Sequence, residues 1–420
     1  MCEMRNASER IRLRLIQLSG VLGLDLRYFI GGGLWLLLPF TVNNLLGIIR
    51  TIFFARLLEQ EVYGQFTFVN ATVGTLAILT LPGISTALVE TVARGNWGSM
   101  IDAARARALW GSLGTLAMTS LSLYFYSQGQ YQLVIAMLIS GVFLPFVSAF
   151  QVVQPYHSGR KQFKMVGLIR TGIVILSTSL LLLVLWLGGG LIWLVLVDSA
   201  SKLIFYFTFF LFAKSEVLDS PHDPEVVSYG RALTGAQAIG SIAAYLDSVI
   251  LGFTAGFVDV AIYRIASVFP NNYKSLTKML STLSLPKLAE HPNKRVYTQQ
   301  TRRQLFYLLA INLTFVIVII AIIQFIIPIL YGEHYKSSVI YAQLLMLSFI
   351  FGLPNSFFVA ALQARKQTRA IAHANLIFGG LQIGALLIFV PILGIMGIVL
   401  SRIISRWSSA IYRWNAVSKI

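Results

Sequence analysis

Long apolar runs alternate with short polar segments along the whole chain. Twelve of these runs hold roughly 18 to 25 apolar residues, the length at which an α-helix crosses about 30 Å of hydrocarbon. Runs such as residues 315–323 are apolar on every face, whereas the strands of a membrane barrel alternate apolar and polar residues. The pattern therefore predicts an all-α polytopic membrane protein. We place the spans at residues 31–55, 64–91, 108–127, 131–153, 168–188, 191–212, 231–254, 257–282, 304–330, 338–362, 371–391 and 394–415.

One internal segment, residues 214–228, combines acidic, proline and polar residues and lies between the sixth and seventh predicted spans. A shift of 197 positions aligns residues 50–66 with residues 247–263, and each copy shows a charged residue near a helix end, then a turn. Because each half has an even number of spans, the repeat is parallel, and we expect two six-helix lobes around a central cavity. The predicted organisation is a cytosolic or interfacial arm at 1–27, a first lobe at 28–213, a cytosolic linker at 214–228 and a second lobe at 229–420.

The basic residues predict the orientation of the spans. Lys and Arg number 33 against 16 Asp and Glu, which gives a net charge of +17. With the N-terminus in the cytosol, 26 of the 33 basic residues, including Arg402, Arg406 and Arg413, fall in cytosolic segments, two fall in the opposite loops and five lie inside spans. This asymmetry predicts a cell-membrane protein with both termini in the cytosol. It also accounts for most of the positive charge without a nucleic-acid partner.

Composition excludes several classes of function. Apolar residues make up 56% of the chain and charged residues only 12%, with a mean hydropathy of +0.75, unlike a soluble enzyme. The single cysteine, Cys2, excludes a disulfide framework and a thiolate zinc site. The five histidines have no metal-binding spacing, the glycine runs are not phosphate loops, and no outer loop has room for a catalytic domain. We therefore expect a transporter rather than an enzyme, with a scaffold or insertase as the alternative.

Charged residues inside spans are the candidate functional groups, because an ionised side chain at the bilayer centre costs about 2.5 to 3.5 kcal/mol and usually faces a wet cavity or a partner. Arg50, Asp247 and Arg264 lie in the outer halves of their spans. The repeat places Arg50 and Asp247 at equivalent depth. An Arg50–Asp247 or Arg264–Asp247 pair is therefore a candidate gate, and a static ion pair is the alternative.

A cationic track is predicted further along the eighth span. Lys274 and Lys278 lie one helical turn apart on the same face, and Arg264, Asn271 and Asn272 precede them. The alternative is that both lysines extend to the inner headgroups. The track is expected to bend at Pro270, one of the prolines placed inside spans, which also include Pro39, Pro82 and Pro354.

Three further charged positions lie in or near the ends of spans. Glu90, near the inner end of the second span, is either interface polarity or a proton acceptor on the cytosolic side. Asp198 and Lys202 are four residues apart on one helix and are predicted to neutralise each other. Glu90 and Asp247 are thus the candidates for ion coupling, with H⁺ or Na⁺ as the possible ion and no cofactor otherwise expected.

Three segments resemble the motifs of one transporter family. Residues 55–66, ARLLEQEVYGQF, are similar to the ARxLGPxxYGxF turn of Wzx-type polysaccharide-repeat-unit flippases, within the multidrug/oligosaccharidyl-lipid/polysaccharide exporter superfamily. Residues 83–88, GISTAL, resemble their GLSTAL segment, and residues 247–266 resemble their DxxxLGxxxGxxxxGxYxxA pattern. The chain departs from the family at four positions, where Glu59 and Gln60 replace Gly-Pro, Leu81 replaces a frequent acidic residue and Ala261 replaces a glycine.

The resemblance implies a substrate and a direction. The family flips oligosaccharide repeat units on polyprenyl pyrophosphate from the cytosolic to the outer leaflet, by alternating access, for O-antigen, capsule or exopolysaccharide synthesis. Membrane lipids, and a polysaccharide polymerase or glycosyltransferases, are the implied partners. The alternatives are a cation-coupled multidrug exporter, a peptidoglycan-precursor flippase, which typically has two more helices, and a polysaccharide polymerase or ligase, which needs a sizeable outer loop.

Overall fold

The computed structural model describes residues 26–289 and 299–418, and the side chains of 41–278, 305–367 and 369–418. Most of the predicted arm at 1–27 therefore lies outside the described residues. Within the described ranges the chain forms α-helices, with short 3₁₀ turns at Ala77–Thr80 and Glu333–Tyr335, and no strand. The helices before the linker are α1 Leu26–Leu57, α2 Gln60–Leu76, α3 Ile84–Ala93, α4 Ser99–Ser127, α5 Tyr131–Phe150, α6 Val153–Gly159, α7 Phe163–Trp186 and α8 Leu191–Val217. Those after it are α9 Val226–Ala243, α10 Leu246–Thr254, α11 Phe257–Ala266, α12 Val268–Ala289, α13 Gln299–Tyr331, α14 Ser338–Leu347, α15 Gly352–Ala364, α16 Thr368–Leu393 and α17 Ile395–Ser418.

Every predicted span coincides with one helix or with two consecutive helices. In the described ranges, six helices are long and apolar enough to cross a membrane, and the number is eight if α9–α10 and α14–α15 each count as one bent span. The other four predicted spans coincide with α1, α4, α11–α12 and α17. The chain is a helical, multi-pass membrane protein, as its apolar pattern predicts.

Several spans are broken, and the prolines have different roles from those predicted. After α2 the chain turns at Leu81, whose positive φ of 55° ends the helix before Pro82. Pro270 and Pro354 instead lie in the first turns of α12 and α15, where a missing N–H is tolerated. The eighth span breaks at Ser267, between α11 and α12, rather than bending at Pro270. The bent spans α9–α10 and α14–α15 turn by 46° and 44°.

The helix boundaries follow the internal repeat. Helices α1 and α10 end at Leu57 and Thr254, and α2 and α11 begin at Gln60 and Phe257, so both pairs are separated by the offset of 197 seen in the sequence. The last helix of each half, α8 and α17, begins at residues 191 and 395, which gives an offset of 204 there.

Two ends of the molecule can be distinguished by their connections. The short-turn end contains the turns 57–60, 127–131, 186–191, 254–257, 331–338 and 393–395, and the linker end contains the connections 93–99, 159–163, 217–226 and 364–368. At the linker end, the segment between the halves is attached to the first half. The Ser99 hydroxyl accepts a hydrogen bond from the Asp223 N–H (2.8 Å), and His222 lies 2.6 Å from Asp102.

The two halves are packed together at the short-turn end. One apolar cluster there combines side chains of both halves, including Phe54 and Phe68 from the first and Leu251 and Phe257 from the second. Helices α2 and α11 approach so closely at Gly64 that a Cβ atom on it would lie 1.8 Å from the Phe257 carbonyl oxygen. Any residue larger than glycine would therefore force these helices apart.

At the linker end the halves have separate apolar clusters. The cluster of the first half reaches the second only through α9, which packs on α3 where the Gly83 N–H donates to the Thr234 hydroxyl at 2.9 Å. The cluster of the second half is built around Phe358 and Leu362 from residues of that half alone. In the described part of the molecule, the two halves therefore pack tightly against each other at the short-turn end and make fewer contacts at the linker end.

Candidate functional site

Three adjoining cavities lie in the described part of the molecule. A central cavity of about 300 Å³ lies between the two halves, and a cavity of about 1360 Å³ lies within the second half. A cleft of about 170 Å³ lies between α1 and α11–α12. Asn271 lines all three, and Arg402 lines both the central cavity and the second-half cavity, so the three spaces meet at these residues.

The structure places Arg50 and all five residues of the predicted cationic track on these cavities. Arg50 lines the central cavity, and Arg264 lines both that cavity and the cleft. Lys274 and Lys278 line the second-half cavity, and Asn272 lines the cleft beside Asn43 and Asn44 of α1. The three spaces bring together residues that the sequence separates by more than 200 positions.

Asp247 is paired differently from the prediction. It is buried in the first turn of α10, and its Oδ1 accepts a hydrogen bond from the Ser248 N–H at 2.8 Å. Its Oδ2 accepts hydrogen bonds from the Tyr263 hydroxyl and from the guanidinium of Arg402. The prediction of a pair with Arg50 or Arg264 is therefore wrong in this conformation. Because Arg402 belongs to the same half, the pair ties α10 to α17 instead of one half to the other.

Arg402, Arg406 and Arg413 line the second-half cavity, whereas the sequence count placed them among the residues of the cytosolic surface. The reason is helical geometry, because spacings of four and seven residues put them on one face of α17. Arg406 donates to the Ser348 hydroxyl at 2.6 Å, and its guanidinium lies 3.9 Å from the centre of the Phe349 ring. The arginine spacing, together with the serines that share the face, was the signal available in the sequence.

The second-half cavity is strongly basic. Among its lining residues in the described chain there is no Asp or Glu. Asn, Gln and Ser side chains make up much of the rest of its polar lining. The basic lining residues are Lys274, Lys278, Lys366, Arg402, Arg406 and Arg413.

In the central cavity the first half contributes its own ion pair. The Lys202 ammonium lies 2.6 Å from Asp198 Oδ2, so the predicted local pair is present. Both residues line the cavity, together with Arg50 and the side chain of Asn70. Sequence reasoning did not include Asp198 and Lys202 among the functional residues, because the local pairing concealed their position at the junction of the two halves.

Glu90 lies elsewhere. Its exposed carboxylate is 2.6 Å from Arg94, one turn further along α3, near the linker end. It is not a lining residue of any of the three cavities. Its role as a coupling carboxylate stays a prediction, for which the cavity geometry provides no partner. The described side chains also contain no group of three or more His, Cys, Asp or Glu arranged to hold a metal ion.

Comparison with known proteins identifies the family. The profile of the family described as polysaccharide biosynthesis protein matches residues 29–291, which include the first half and the basic part of α12. The chain belongs to this family. A search of curated protein sequences gives no significant match.

Solved structures show the same fold at low sequence identity. This chain is similar to the structure of the lipid II flippase MurJ in an inward closed conformation. The TM-score is 0.68, with 16% identity over 91% of this chain and 87% of that one. An inward-facing multidrug resistance MATE family transporter of the MOP superfamily gives a TM-score of 0.64 at 13% identity, over 90% and 95% of the two chains. A MOP superfamily transporter from Pyrococcus furiosus gives 0.53 at 14% identity, over 90% and 93%. These similarities confirm the predicted fold class.

Proposed function

We propose that this protein is a transporter that moves oligosaccharides linked to a polyprenyl diphosphate from the cytosolic to the outer leaflet, for the synthesis of a surface polysaccharide. The observation that supports it most is the large second-half cavity, whose described lining has six basic residues and no carboxylate. A diphosphate is best held by several guanidinium and ammonium groups, because charge-assisted hydrogen bonds to phosphate oxygens are about twice as strong as neutral ones. The amide and hydroxyl side chains between the cations suit sugar hydroxyl groups.

The family description, polysaccharide biosynthesis protein, agrees with such a substrate. Glycosyltransferases that build the lipid-linked unit, and a polymerase that consumes it, are the partners we propose. The transporter from Pyrococcus furiosus is described as having a binding pocket of reverse polarity, which suggests a different function for that protein. A basic pocket in this chain is likewise a reason to assign a different substrate from that of the multidrug transporters.

We propose further that the linker end faces the cytosol, as the distribution of basic residues indicates. The second-half cavity extends from Arg402 towards Lys366 and Arg413 near that end, while the apolar cluster closes the halves at the other. The structure then corresponds to a conformation loaded from the cytosol.

Alkaline phosphatase fused after Ser127 should be active, and the same enzyme fused at the C-terminus should be inactive. The opposite pattern would contradict this orientation.

Reconstitution into liposomes tests the transport proposal. A fluorescent polyprenyl-diphospho-oligosaccharide is added to one leaflet, and its appearance in the other is measured by quenching. Removing two cations with K274Q/R406Q should slow transfer at least about tenfold, since hydrogen bonds to charged groups contribute about 1.5 to 3 kcal/mol each. The control is K161Q, because Lys161 is exposed at the linker end. Export of organic cations with no transfer of the lipid would favour a multidrug exporter and contradict the proposal.

A further inference from the structure

The internal repeat makes three charged residues of the first half equivalent to three of the second, and in two of these pairs the sign of the charge is reversed. The offset of 197 makes Arg50 on α1 equivalent to Asp247 on α10. The offset of 204 makes Asp198 on α8 equivalent to Arg402 on α17. It also makes Lys202 equivalent to Arg406 on the next turn. Among these six residues each half therefore has one carboxylate and two cations, but the acid is on the last span in the first half and on the first span in the second.

The two carboxylates differ in how completely they are bound. Asp247 accepts hydrogen bonds at both oxygens, and its principal cation is the buried Arg402. Asp198 is 5% exposed and uses only Oδ2, towards Lys202. Its Oδ1 is buried and accepts no hydrogen bond from the described residues. The central cavity therefore contains one carboxylate with a fixed partner and one with an oxygen available for a further proton or donor.

The charges around Asp198 come from both halves. Lys202 is on its own helix, and Arg50 on α1 lines the same cavity. Arg264, Arg402 and Asp247 line the same cavity from the second half. The remaining titratable groups on this cavity are the hydroxyls of Tyr63, Tyr245 and Tyr263.

An anionic substrate entering this cavity would compete with Asp198 for its cations. A diphosphate attracts Lys202 and Arg50 strongly, and their movement towards it leaves the Asp198 carboxylate buried without a counter-charge. A buried, unpaired carboxylate is costly, and taking up a proton removes that cost. Asp247 does not undergo this change, because Arg402 and Tyr263 stay bound to it within the second half.

We propose that Asp198 takes up one proton when the diphosphate of the substrate passes from the second-half cavity into the adjoining central cavity and binds Lys202 and Arg50, and that it releases this proton when the substrate leaves. The proton comes from the surrounding solution by way of the cavity and binds Oδ1, while Lys202 keeps its own proton. The proton accompanies the substrate and cancels part of its charge during the crossing. This inference rests on the proposed function, and it assigns the coupling group to Asp198 rather than to Glu90 or Asp247.

Calorimetric titration of the purified protein in detergent tests the inference. The probe is geranylgeranyl-diphospho-N-acetylglucosamine, whose diphosphate is esterified at both ends and keeps the same charge between pH 6 and 8. Titrations in two buffers of different ionisation enthalpy give the number of protons taken up on binding. We expect about one proton for the wild-type protein, and an affinity that rises by up to about tenfold for each unit of pH lowered.

The D198N variant should bind the probe with little proton uptake and with an affinity that hardly changes with pH. The K202Q variant should lower both the affinity for the probe and the proton uptake, because it removes the cation that the diphosphate draws away from Asp198. The matched control is E333Q, which removes an exposed carboxylate paired with Lys336 away from the three cavities and should behave as the wild type. A D198N protein that binds the probe and takes up as many protons as the wild type would overturn the inference.

Two results separate this inference from the proposed function. Binding of the probe by the wild type without proton uptake would overturn the role of Asp198 alone and leave the diphosphate cavity supported. Failure of the wild type to bind the probe would contradict the diphosphate cavity itself, and with it both proposals.

Discussion

At the scale of single residues, charges within apolar runs are the features that the sequence reveals best. Arg50, Arg264, Lys274 and Lys278 stand out because an ionised group is costly in hydrocarbon, and the structure places all four on cavities. The partner of Asp247 was not predictable. Arg402 lies 155 positions away, in a helix with several polar residues that resembled a cytosolic flank, and no local spacing connects the two residues.

The Asp247–Arg402 pair gives a prediction for stability. Replacing one partner, as in D247N or R402Q, leaves the other charge buried and should lower the free energy of unfolding by about 3 to 5 kcal/mol. The double variant D247N/R402Q should lose clearly less than the sum of the single losses. Denaturant unfolding in detergent measures both quantities.

The exposed pair of Glu90 and Arg94 is the matched control for that experiment. Removing an exposed pair usually changes stability by about 0 to 1 kcal/mol. Additive losses for D247N and R402Q would show that the two side chains act independently, contrary to the hydrogen bond between them.

At the scale of helices, the breaks within spans are only partly visible in the sequence. Pro82 and Gly83 marked the break after α2, since proline lacks the N–H that a helix interior needs. The tenth predicted span also contained a proline, Pro354, but this residue follows the break between α14 and α15 and did not locate it. The structure shows that a distant side chain stabilises it. The carboxamide of Asn312 on α13 donates to the Phe349 and Ile350 carbonyls at 3.0 and 2.6 Å, and it accepts from the Leu353 N–H at 3.0 Å.

Asn312 should therefore be important for stability although it lies far from the short turns. It is fully buried, and the Tyr273 hydroxyl also donates to it. N312A leaves several backbone groups buried without partners and should lower the free energy of unfolding by at least about 2 kcal/mol. Y273F, which removes one donor, should cost about 1 kcal/mol. The control T314A, at an exposed position on the same helix, should stay within about 0.5 kcal/mol of the wild type. Equal stability of N312A and T314A would contradict this role.

At the scale of the whole molecule, closure of the short-turn end is a property of the two halves together. Arg56 donates to the Leu330 carbonyl at 2.8 Å, and the Gln60 side chain donates to the His334 carbonyl at 2.7 Å. Both contacts join the corner between α1 and α2 to the end of α13 and the 3₁₀ turn that follows it in the other half. An alternating-access cycle requires these contacts to separate when the substrate leaves.

A reversible cross-link across this closure should stop transport. With Cys2 replaced by serine, Q60C/H334C joined by a short, reducible bifunctional maleimide should lower lipid transfer to the level of protein-free liposomes, and reduction should restore it. The control is Y126C/Y131C, whose native rings are 5.5 Å apart within the first half. That cross-link should not change the rate. Unchanged transfer by the cross-linked Q60C/H334C protein would show that this end does not open.

The sequence by itself determined the class of the protein, the number and approximate position of its spans, the repeat and the chemical character of the cavity. These follow from properties that are local in the chain, because the bilayer selects apolar runs of fixed length and makes each buried charge conspicuous. Only the tertiary structure decided that Arg402 rather than Arg50 neutralises Asp247, that the arginines of α17 face a cavity, and that Asp198 lies where the halves meet. The physical reason is that an ion pair depends on which helix faces come together. Packing between distant helices fixes those faces, and residue spacing along one helix does not.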